Sequence, residues 1–259
     1  VSINVYEGEK RAQAADDSTA LIRTDSFRKN PMPSSFISGS EEYETFMNSE
    51  VLTDFGRSLT QTFFDTSRGR GEEVADYSVS WNSNNSKVRQ WSVSFYGPDN
   101  KRASDASVDS DTVLSVSVSY KHGRSPNADE LRSMITPDAI TQSRVSKTYF
   151  ADVDDQAIAD YTESFRKNGV DVRQTSISFY GLGGSLRAAQ VTDPDTDKLS
   201  VSVLYRGALT AENFAAAKNP ESYLINRLSK TFYAGEDSLA DYTIQYRRGT
   251  NQTRSVSIN

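Results

Sequence analysis

Hydrophobic and polar residues alternate strictly in several segments of the chain. Apolar side chains occupy every second position, with Ser, Gln or Arg between many of them. A period of two residues is typical of a β-strand that has one buried and one polar face. We therefore predict strands in five segments: RQWSVSFYG (89–97), RQTSISFYG (173–181), RSVSIN (254–259), LSVSVSY (114–120) and LSVSVLY (199–205).

A different spacing surrounds a motif, Ala-Asp-Tyr, that occurs three times. In its second copy the large residues Ile158, Tyr161 and Phe165 follow one another at i, i+3 and i+7. This spacing places side chains on one face of an α-helix. Asp155 suits the N-cap of such a helix, and Gly169 suits its C-terminal residue. The equivalent positions are Val74, Tyr77 and Trp81 in the first copy and Leu239, Tyr242 and Tyr246 in the third, with Asp237 and Gly249 as its ends.

The motifs recur in a fixed order with a period of roughly 80 to 90 residues, the signature of an internal repeat. Thr-aromatic-aromatic strands precede the Ala-Asp-Tyr segments, and Arg-Ala hairpins follow the alternating strands. The aromatic motifs are Thr62-Phe63-Phe64, Thr148-Tyr149-Phe150 and Thr231-Phe232-Tyr233, and the hairpin motifs are Lys10-Arg11-Ala12, Lys101-Arg102-Ala103 and Leu186-Arg187-Ala188.

These elements predict an α+β fold of three tandem repeats, each β-β-α-β, in which one helix covers a small antiparallel sheet. The expected divisions are 1–97, 98–181 and 182–259. VSINVY at 1–6 predicts an extra N-terminal strand that pairs into the first repeat, and VSIN recurs at 256–259. Short helices are expected in the variable connections 25–57, 121–143 and 206–226, for example at 127–134.

The composition removes several classes of mechanism. The chain has no cysteine and one histidine, His122, which excludes thiolate chemistry, disulfides and multi-histidine metal sites. The 29 basic and 35 acidic residues give a net charge of −6, which disfavours nucleic-acid binding. No apolar run is long enough to span a membrane. We expect no cofactor and no catalytic site.

Carboxylates leave two other interpretations open. Asp193, Asp195 and Asp197 resemble the start of a calcium loop, but the Gly and Glu of an EF-hand are missing, so a solvated turn is favoured. A carboxylate-dependent hydrolase needs no histidine and remains an alternative, although no Asp or Glu lies in a recognisable catalytic frame.

Aromatic and arginine side chains are the candidates for contact with a protein partner, since they dominate interface energetics. One ring of each aromatic pair is expected in the core and the other on the opposite face or beneath a connection. The candidates are Phe64, Tyr149, Phe150, Phe232 and Tyr233 in the pairs, Phe27, Phe36 and Phe46 in the first connection, and Arg68, Arg70, Arg247 and Arg248 in basic strips.

Residues 143–179 (SRVSKTYFADVDDQAIADYTESFRKNGVDVRQTSISF) resemble the small linker domain of phycobilisomes, which caps rods and forms the allophycocyanin core linker. The matching places are Thr148-Tyr149-Phe150, the aromatics Tyr161 and Phe165, Gly169 and Arg173. The resemblance covers the β-α-β part of each unit and extends to red-algal linkers related to gamma subunits. This chain departs from the family in its acidic balance and its three tandem copies.

The resemblance implies a colourless, non-enzymatic linker that binds phycobiliproteins or other linkers at a cyanobacterial or chloroplast thylakoid surface, on the stromal or cytoplasmic side. Without cysteine the chain cannot hold a covalent bilin. The second hypothesis is a secreted or cell-surface β-rich binding module, which the sequons Asn84-Asn85-Ser86 and Asn251-Gln252-Thr253 keep open.

Overall fold

The fold is built from antiparallel β-strands in a computed structural model that describes residues 2–11, 15, 18–27, 58–82, 87–121, 130–131, 133–235, 237–248 and 250–258. Consecutive strands pair from β3 to β6 and from β7 to β14, and β1 lies between β2 and β3. The strands are β1 (Ser2–Tyr6), β2 (Lys10–Arg11), β3 (Leu21–Phe27), β4 (Ser58–Asp65), β5 (Val74–Trp81), β6 (Val88–Tyr96), β7 (Leu114–Lys121), β8 (Arg144–Val153), β9 (Gln156–Phe165), β10 (Val172–Tyr180), β11 (Leu199–Arg206), β12 (Arg227–Ala234), β13 (Leu239–Tyr246) and β14 (Thr253–Ile258).

The predicted α+β class is wrong, because the three expected covering helices are strands β5, β9 and β13. The reason is a β-bulge. Tyr149 pairs with Tyr161, but the next residue, Phe150, pairs with Ala159, so Asp160 is an extra residue in β9. One extra residue returns Ile158 and Tyr161, three positions apart, to the same face. A bulged strand therefore has the same spacing of large side chains as a helix.

The expected helix ends belong to hairpin turns. Asp155 follows Asp154 in a two-residue turn between β8 and β9, and both have positive φ, 59° and 52°. This is the type I′ geometry that suits a tight hairpin. Gly169 lies in the turn from β9 to β10 with φ of 69°, and a Cβ there would lie 1.8 Å from the Thr141 carbonyl oxygen. Glycine is therefore required at position 169, but it is required by a hairpin turn and not by the end of a helix. Asp237 also lies in a turn, and Gly249 is outside the described residues.

The alternating segments form strands β6, β7, β10, β11 and β14, as their pattern predicts. A four-strand repeat results, in which β3–β6, β7–β10 and β11–β14 are equivalent and β1 corresponds to the last strand of a repeat. Residues Ser2–Tyr6 of the predicted N-terminal strand pair with β3. No helix covers the sheet at the predicted places.

The chain divides into two compact units. The first contains Val1–Ser94, Lys101–Asp111 and Lys121–Met134, and the second contains Phe95–Asn100, Thr112–Tyr120 and Ile135–Asn259. The three predicted divisions, 1–97, 98–181 and 182–259, stay a prediction. Of the short helix expected at 127–134, half lies outside the described residues; Glu130 and Leu131 are helical, and Leu131 and Met134 are buried.

The core of the second unit lies between the apolar face of the strands and the connection from β11 to β12. Ile177, Phe179, Val203 and Tyr205 are fully buried on this face. The connection begins with the six-residue helix Ala211–Ala216, whose N-cap Thr210 accepts a hydrogen bond from the Asn213 amide. Ala217 and Tyr223 of the connection complete the buried cluster. Each fully buried aliphatic or aromatic side chain contributes about 1.5–3 kcal/mol to the stability of the fold. The connection, which is partly helical, packs on this core in place of the predicted covering helix.

Candidate binding surfaces

Stacked aromatic rings mark equivalent places in the three repeats. The first ring of each Thr-aromatic-aromatic motif stacks on the tyrosine of the following Ala-Asp-Tyr motif. The ring centroids are 4.7 Å apart for Phe63–Tyr77, 4.2 Å for Tyr149–Tyr161 and 4.3 Å for Phe232–Tyr242. Such cross-strand pairs stabilise a sheet beyond their buried area. Two of the candidate anchors, Tyr149 and Phe232, are therefore engaged within the fold.

The second ring of the third pair reaches the polar face of the sheet. The Tyr233 hydroxyl lies 3.1 Å from the Ser202 hydroxyl. This face carries pairs of hydroxyls on adjacent strands, such as Thr148–Thr162 at 2.9 Å. Phe64 and Phe150 occupy the equivalent register positions and are half-buried.

Burial also perturbs the tyrosines of the stacked pair in the second repeat. Burial raises the pKa of Tyr161 to about 12, and the nearby Glu163 carboxylate adds to the effect. Burial and the same carboxylate raise the pKa of Tyr149 as well, and the Tyr149 hydroxyl donates to Glu163 at 3.3 Å. Both phenols are neutral at physiological pH.

A connection carboxylate binds two cations of the following strand in two of the repeats. Asp138 accepts from Arg144 at 2.5 Å and Lys147 at 2.9 Å. Burial raises the pKa of Asp138, but the hydrogen bonds from Lys147 and Arg144 outweigh burial and hold that pKa below its ordinary value. The same arrangement joins Glu221 to Arg227 at 3.0 Å and to Lys230 at 2.5 Å, and there too the cations outweigh burial and lower the pKa.

These cations also lie over aromatic rings. The guanidinium of Arg144 is 3.9 Å from the Phe165 ring centroid, and that of Arg227 is 3.9 Å from Tyr246. Cation–π contacts of partly desolvated groups add to the ion pairs. The clusters fasten the connections to the sheet, and all four cations are buried.

The predicted basic strips differ in their surroundings. Arg68 donates to the carbonyl oxygen of Ala103 at 3.1 Å and to that of Asp105, so its guanidinium is held by the first unit. Arg70 is exposed, as are Arg247 and Arg248 at the turn between β13 and β14. Phe36, Phe46 and His122 lie outside the described residues, and Phe27 ends β3 with its side chain undescribed.

The bulge aspartate of one repeat binds the hairpin arginine that follows it. Arg187 Nε donates to Asp160 Oδ1 at 2.9 Å, and Nη2 donates to Oδ2 at 2.8 Å. The remaining Nη1 donates to the Ala217 carbonyl oxygen at 3.1 Å. A two-point guanidinium–carboxylate contact is both strong and directional. Arg187 thus ties β9, the hairpin after β10 and the next connection together.

The first unit contains the same contact. Arg102 Nε donates to Asp76 Oδ1 at 3.1 Å, and its Nη1 donates to the carbonyl oxygens of Met134, at 2.9 Å, and Leu131. The Arg102 side chain is buried. Both motifs are visible in the sequence, but their contact is visible only in the structure. The signal was available in the sequence, since arginine follows aspartate by 26 residues in one case and by 27 in the other.

The third bulge aspartate has no such arginine among the described residues. Asp241 is exposed, and its neighbour Leu239 is 67% exposed, whereas the equivalent Val74 is 5% exposed. Ile258 of β14 is 86% exposed, whereas its equivalents Ile177 and Val93 are fully buried. We call this surface the end face; it consists of Leu239, Asp241, Val256 and Ile258. The side chains of the end face are exposed, whereas equivalent side chains of the earlier repeats, such as Val74 and Ile177, are buried.

A cavity of about 420 Å³ lies in the first unit between β3, β4 and β5. Its lining includes Arg23, the stacked Phe63 and Tyr77, and the carboxylates Asp65 and Asp76. Asp76 is bound by Arg102, and Asp65 accepts from the Ser67 hydroxyl at 2.6 Å. Arg23 pairs with the buried Asp25 at 3.1 Å. The two carboxylates already serve the fold as hydrogen-bond acceptors.

The remaining sequence candidates lie at exposed turns. Asp193 Oδ1 accepts from the Asp195 amide at 2.9 Å, and Asp197 accepts from the Thr192 amide at 3.2 Å. Hydrogen bonds from the Asp195 amide and the Thr196 hydroxyl lower the pKa of Asp193. Across the described part of the chain, no three acidic or histidine side chains cluster so as to hold a metal ion. Asn251 of the second sequon is exposed, and Asn84 lies outside the described residues.

Among the described residues no helix has the length and apolar character needed to cross a membrane. Comparison with known proteins gives no assignment. No protein-family model matches the chain, and no curated protein matches its sequence.

Proposed function

We propose that this protein is a non-enzymatic assembly protein whose end face binds another protein chain. The observation that carries the proposal is the contrast between repeats. Ile177 and its surroundings are covered in the second repeat, while Ile258, Leu239 and Asp241 form the same surface uncovered in the third. Exposed apolar side chains next to a charge are typical of a protein-binding site.

The end face has the composition of an interface. Leu239 and Ile258 supply apolar area, and Asp241 supplies a carboxylate whose two equivalents each bind an arginine. A partner that offers an arginine beside small apolar residues therefore fits. Charged groups at the rim of an apolar patch contribute specificity and association rate.

The phycobilisome interpretation of the sequence depended on a strand-helix-strand pattern, and the helix of that pattern is strand β9. The proposal therefore names no pigment protein as the partner. What it retains from the sequence is the assembly role without a catalytic group. The extracellular binding module and the carboxylate-dependent hydrolase remain untested predictions.

The experiment compares capture of proteins from extracts of the source by two variants. The Leu239→Ser, Ile258→Ser double variant alters the end face, and Leu182→Ser alters another leucine that is 97% exposed. Because these side chains are exposed, neither variant should change the unfolding midpoint. We expect the double variant alone to lose the proteins that the wild type retains. Equal capture by both variants would refute the proposal.

A further inference from the structure

We infer that the cavity of the first unit binds a small zwitterion with an apolar body, the class to which free α-amino acids belong. In this site Arg23 binds the carboxylate of the ligand, Asp65 binds its ammonium group, and the rings of Phe63, Phe64 and Tyr77 contact its apolar part. The site is independent of the end face, because every residue that lines the cavity belongs to the first unit.

The first argument is a comparison of strand β3 with its equivalents in the other repeats. Two positions that hold buried valines in the second and third repeats hold charged residues in the first. The strand register aligns Arg23 with Val116 and Val201, and Asp25 with Val118 and Val203. All four valines are at most 3% exposed, and Asp25 is equally buried. The first repeat thus has an ion pair, with Arg23 Nε 3.1 Å from Asp25 Oδ1, where its sister repeats have two valines.

This exchange of valines for charges does not serve stability. Two charges are costly to remove from water, and replacement of a buried ion pair by apolar residues often leaves stability unchanged or raises it. Departures from the apolar pattern of a core are typical of functional sites. The charges are therefore better explained by a ligand than by the fold.

Further polar substitutions of the first repeat lie at the same cavity. Asp65 occupies the register position of Ala151 and Ala234. Ser104 follows the Arg-Ala hairpin motif at the place where the second hairpin has Ala189. Arg23, Asp65 and Ser104 all line the cavity. Three polar residues that replace apolar ones thus converge on one place.

Asp65 offers an oxygen to a ligand. The Ser67 amide at 3.2 Å, the Ser67 hydroxyl at 2.6 Å and Arg68 Nη1 at 3.9 Å all approach the same oxygen, Oδ1. Among the contacts of the described residues, Oδ2 is therefore left as an acceptor. An ionised carboxylate forms its strongest hydrogen bonds with charged donors, so an ammonium group suits this oxygen.

Arg23 supplies the opposite charge. Its Nε donates to both oxygens of Asp25, at 3.1 and 3.2 Å, and its guanidinium lies 6.0 Å from the centroid of the Phe63 ring. A guanidinium carries five N–H donors and can bind more than one carboxylate. A cavity with a guanidinium and a carboxylate in its lining fits a ligand that carries both charges.

The size and the apolar lining of the cavity agree with such a ligand. Its volume of about 420 Å³ lies within the usual range of ligand pockets, about 300–1,000 Å³. Ile22, Phe64 and the stacked pair of Phe63 and Tyr77 provide apolar surface. An amino acid with a large apolar side chain, such as phenylalanine, therefore fits better than a small or charged one.

The test measures the binding of three probes to the purified 259-residue chain by isothermal titration calorimetry. The probes are L-phenylalanine, phenethylamine, which lacks the carboxylate, and 3-phenylpropionate, which lacks the ammonium group. We expect L-phenylalanine to bind and each of the other two to bind about tenfold or more weakly, because each leaves a charged group of the cavity without its partner. No binding of L-phenylalanine at millimolar concentration, or equal affinities of the three probes, would overturn the inference.

Two variants give the first repeat the residues of its sister repeats. The Arg23→Val, Asp25→Val double variant should unfold at or above the wild-type midpoint and bind L-phenylalanine about tenfold or more weakly. Asp65→Ala should weaken binding to a similar extent. Leu182→Ser, which alters an exposed side chain of the second unit, is the control and should bind like the wild type. Wild-type affinity in both cavity variants would refute the site, and the comparison of the probes decides even if one variant fails to fold.

Discussion

The guanidinium of Arg187 and the carboxylate of Asp160 form two parallel hydrogen bonds, 2.9 and 2.8 Å long, between a hairpin and the bulge of a strand that precedes it. Asp160 is the extra residue in β9, and the bulge re-aims a side chain at this point of the strand. The contact joins consecutive repeats. Its third equivalent, Asp241, lies at the end face.

Replacement of Arg187 by alanine should lower the free energy of unfolding by about 2 kcal/mol or more, because Asp160 loses hydrogen bonds to a charged partner. Urea unfolding measures the change. Asp241→Ala is the matched control, since this aspartate occupies the same motif position but is exposed. We expect the control to change stability by less than about 0.5 kcal/mol. Similar losses in the two variants would show that the contact has no special role.

Gly169→Ala should be strongly destabilising. A Cβ at Gly169 would overlap the Thr141 carbonyl oxygen at 1.8 Å, and the residue has φ of 69°. Gly207→Ala separates the two effects, since its φ is 74° but nothing lies within 4 Å of the added carbon. The backbone conformation alone costs about 1–2 kcal/mol, so Gly169→Ala should exceed Gly207→Ala in thermal unfolding. Equal costs would mean that the turn moves away from Thr141.

The cluster of Glu221 with Arg227 and Lys230 should make stability depend on acidity. The folded-state pKa of Glu221 lies below its ordinary value despite burial. A carboxylate with a depressed pKa stabilises the fold above its unfolded pKa of about 4.3, and this contribution disappears as pH falls through the folded pKa. The free energy of unfolding, measured from neutral to acid pH, should therefore fall less steeply for Glu221→Gln than for the wild type. An unchanged pH profile would contradict the assigned role of the cluster.

Phe232→Ala should lower the free energy of unfolding by about 2–4 kcal/mol, because the ring packs against the core cluster and stacks on Tyr242 at 4.3 Å. Tyr233→Phe removes only the hydroxyl that lies near Ser202, and should cost less than about 1 kcal/mol. Chemical unfolding of both variants tests the difference. If Phe232→Ala unfolds like the wild type, the ring serves a partner rather than the core.

Most of the alternating strands can be predicted from the sequence, and the wrong prediction of helices has a specific physical reason. Strict alternation placed β6, β7, β10, β11 and β14 correctly, since no other element has a period of two. Strand β9 was assigned as a helix because a bulge at Asp160 shifts the phase of its apolar residues. A bulge depends on pairing with a neighbouring strand, and local periodicity does not contain that information.

Only part of the candidate site could be predicted from the sequence. The motifs of Asp160 and Arg187 were recognised as repeats, yet their contact depends on how the hairpin folds over the strand. The exposure of Leu239 and Ile258 became visible only when the three repeats were compared in the structure. Nothing in their sequence distinguishes these residues from the buried Val74 and Ile177.

The end face offers the most direct measurement of the proposed binding. A photo-crosslinking residue in place of Ile258 should form covalent adducts with a partner protein in an extract of the source, because this side chain is 86% exposed on the proposed binding surface. The same residue in place of Leu182, a leucine that is 97% exposed and lies outside the end face, is the control. We expect adducts at Ile258 and few at Leu182. Adducts at Ile258 that are no more abundant than at the control would contradict the assembly role of the end face.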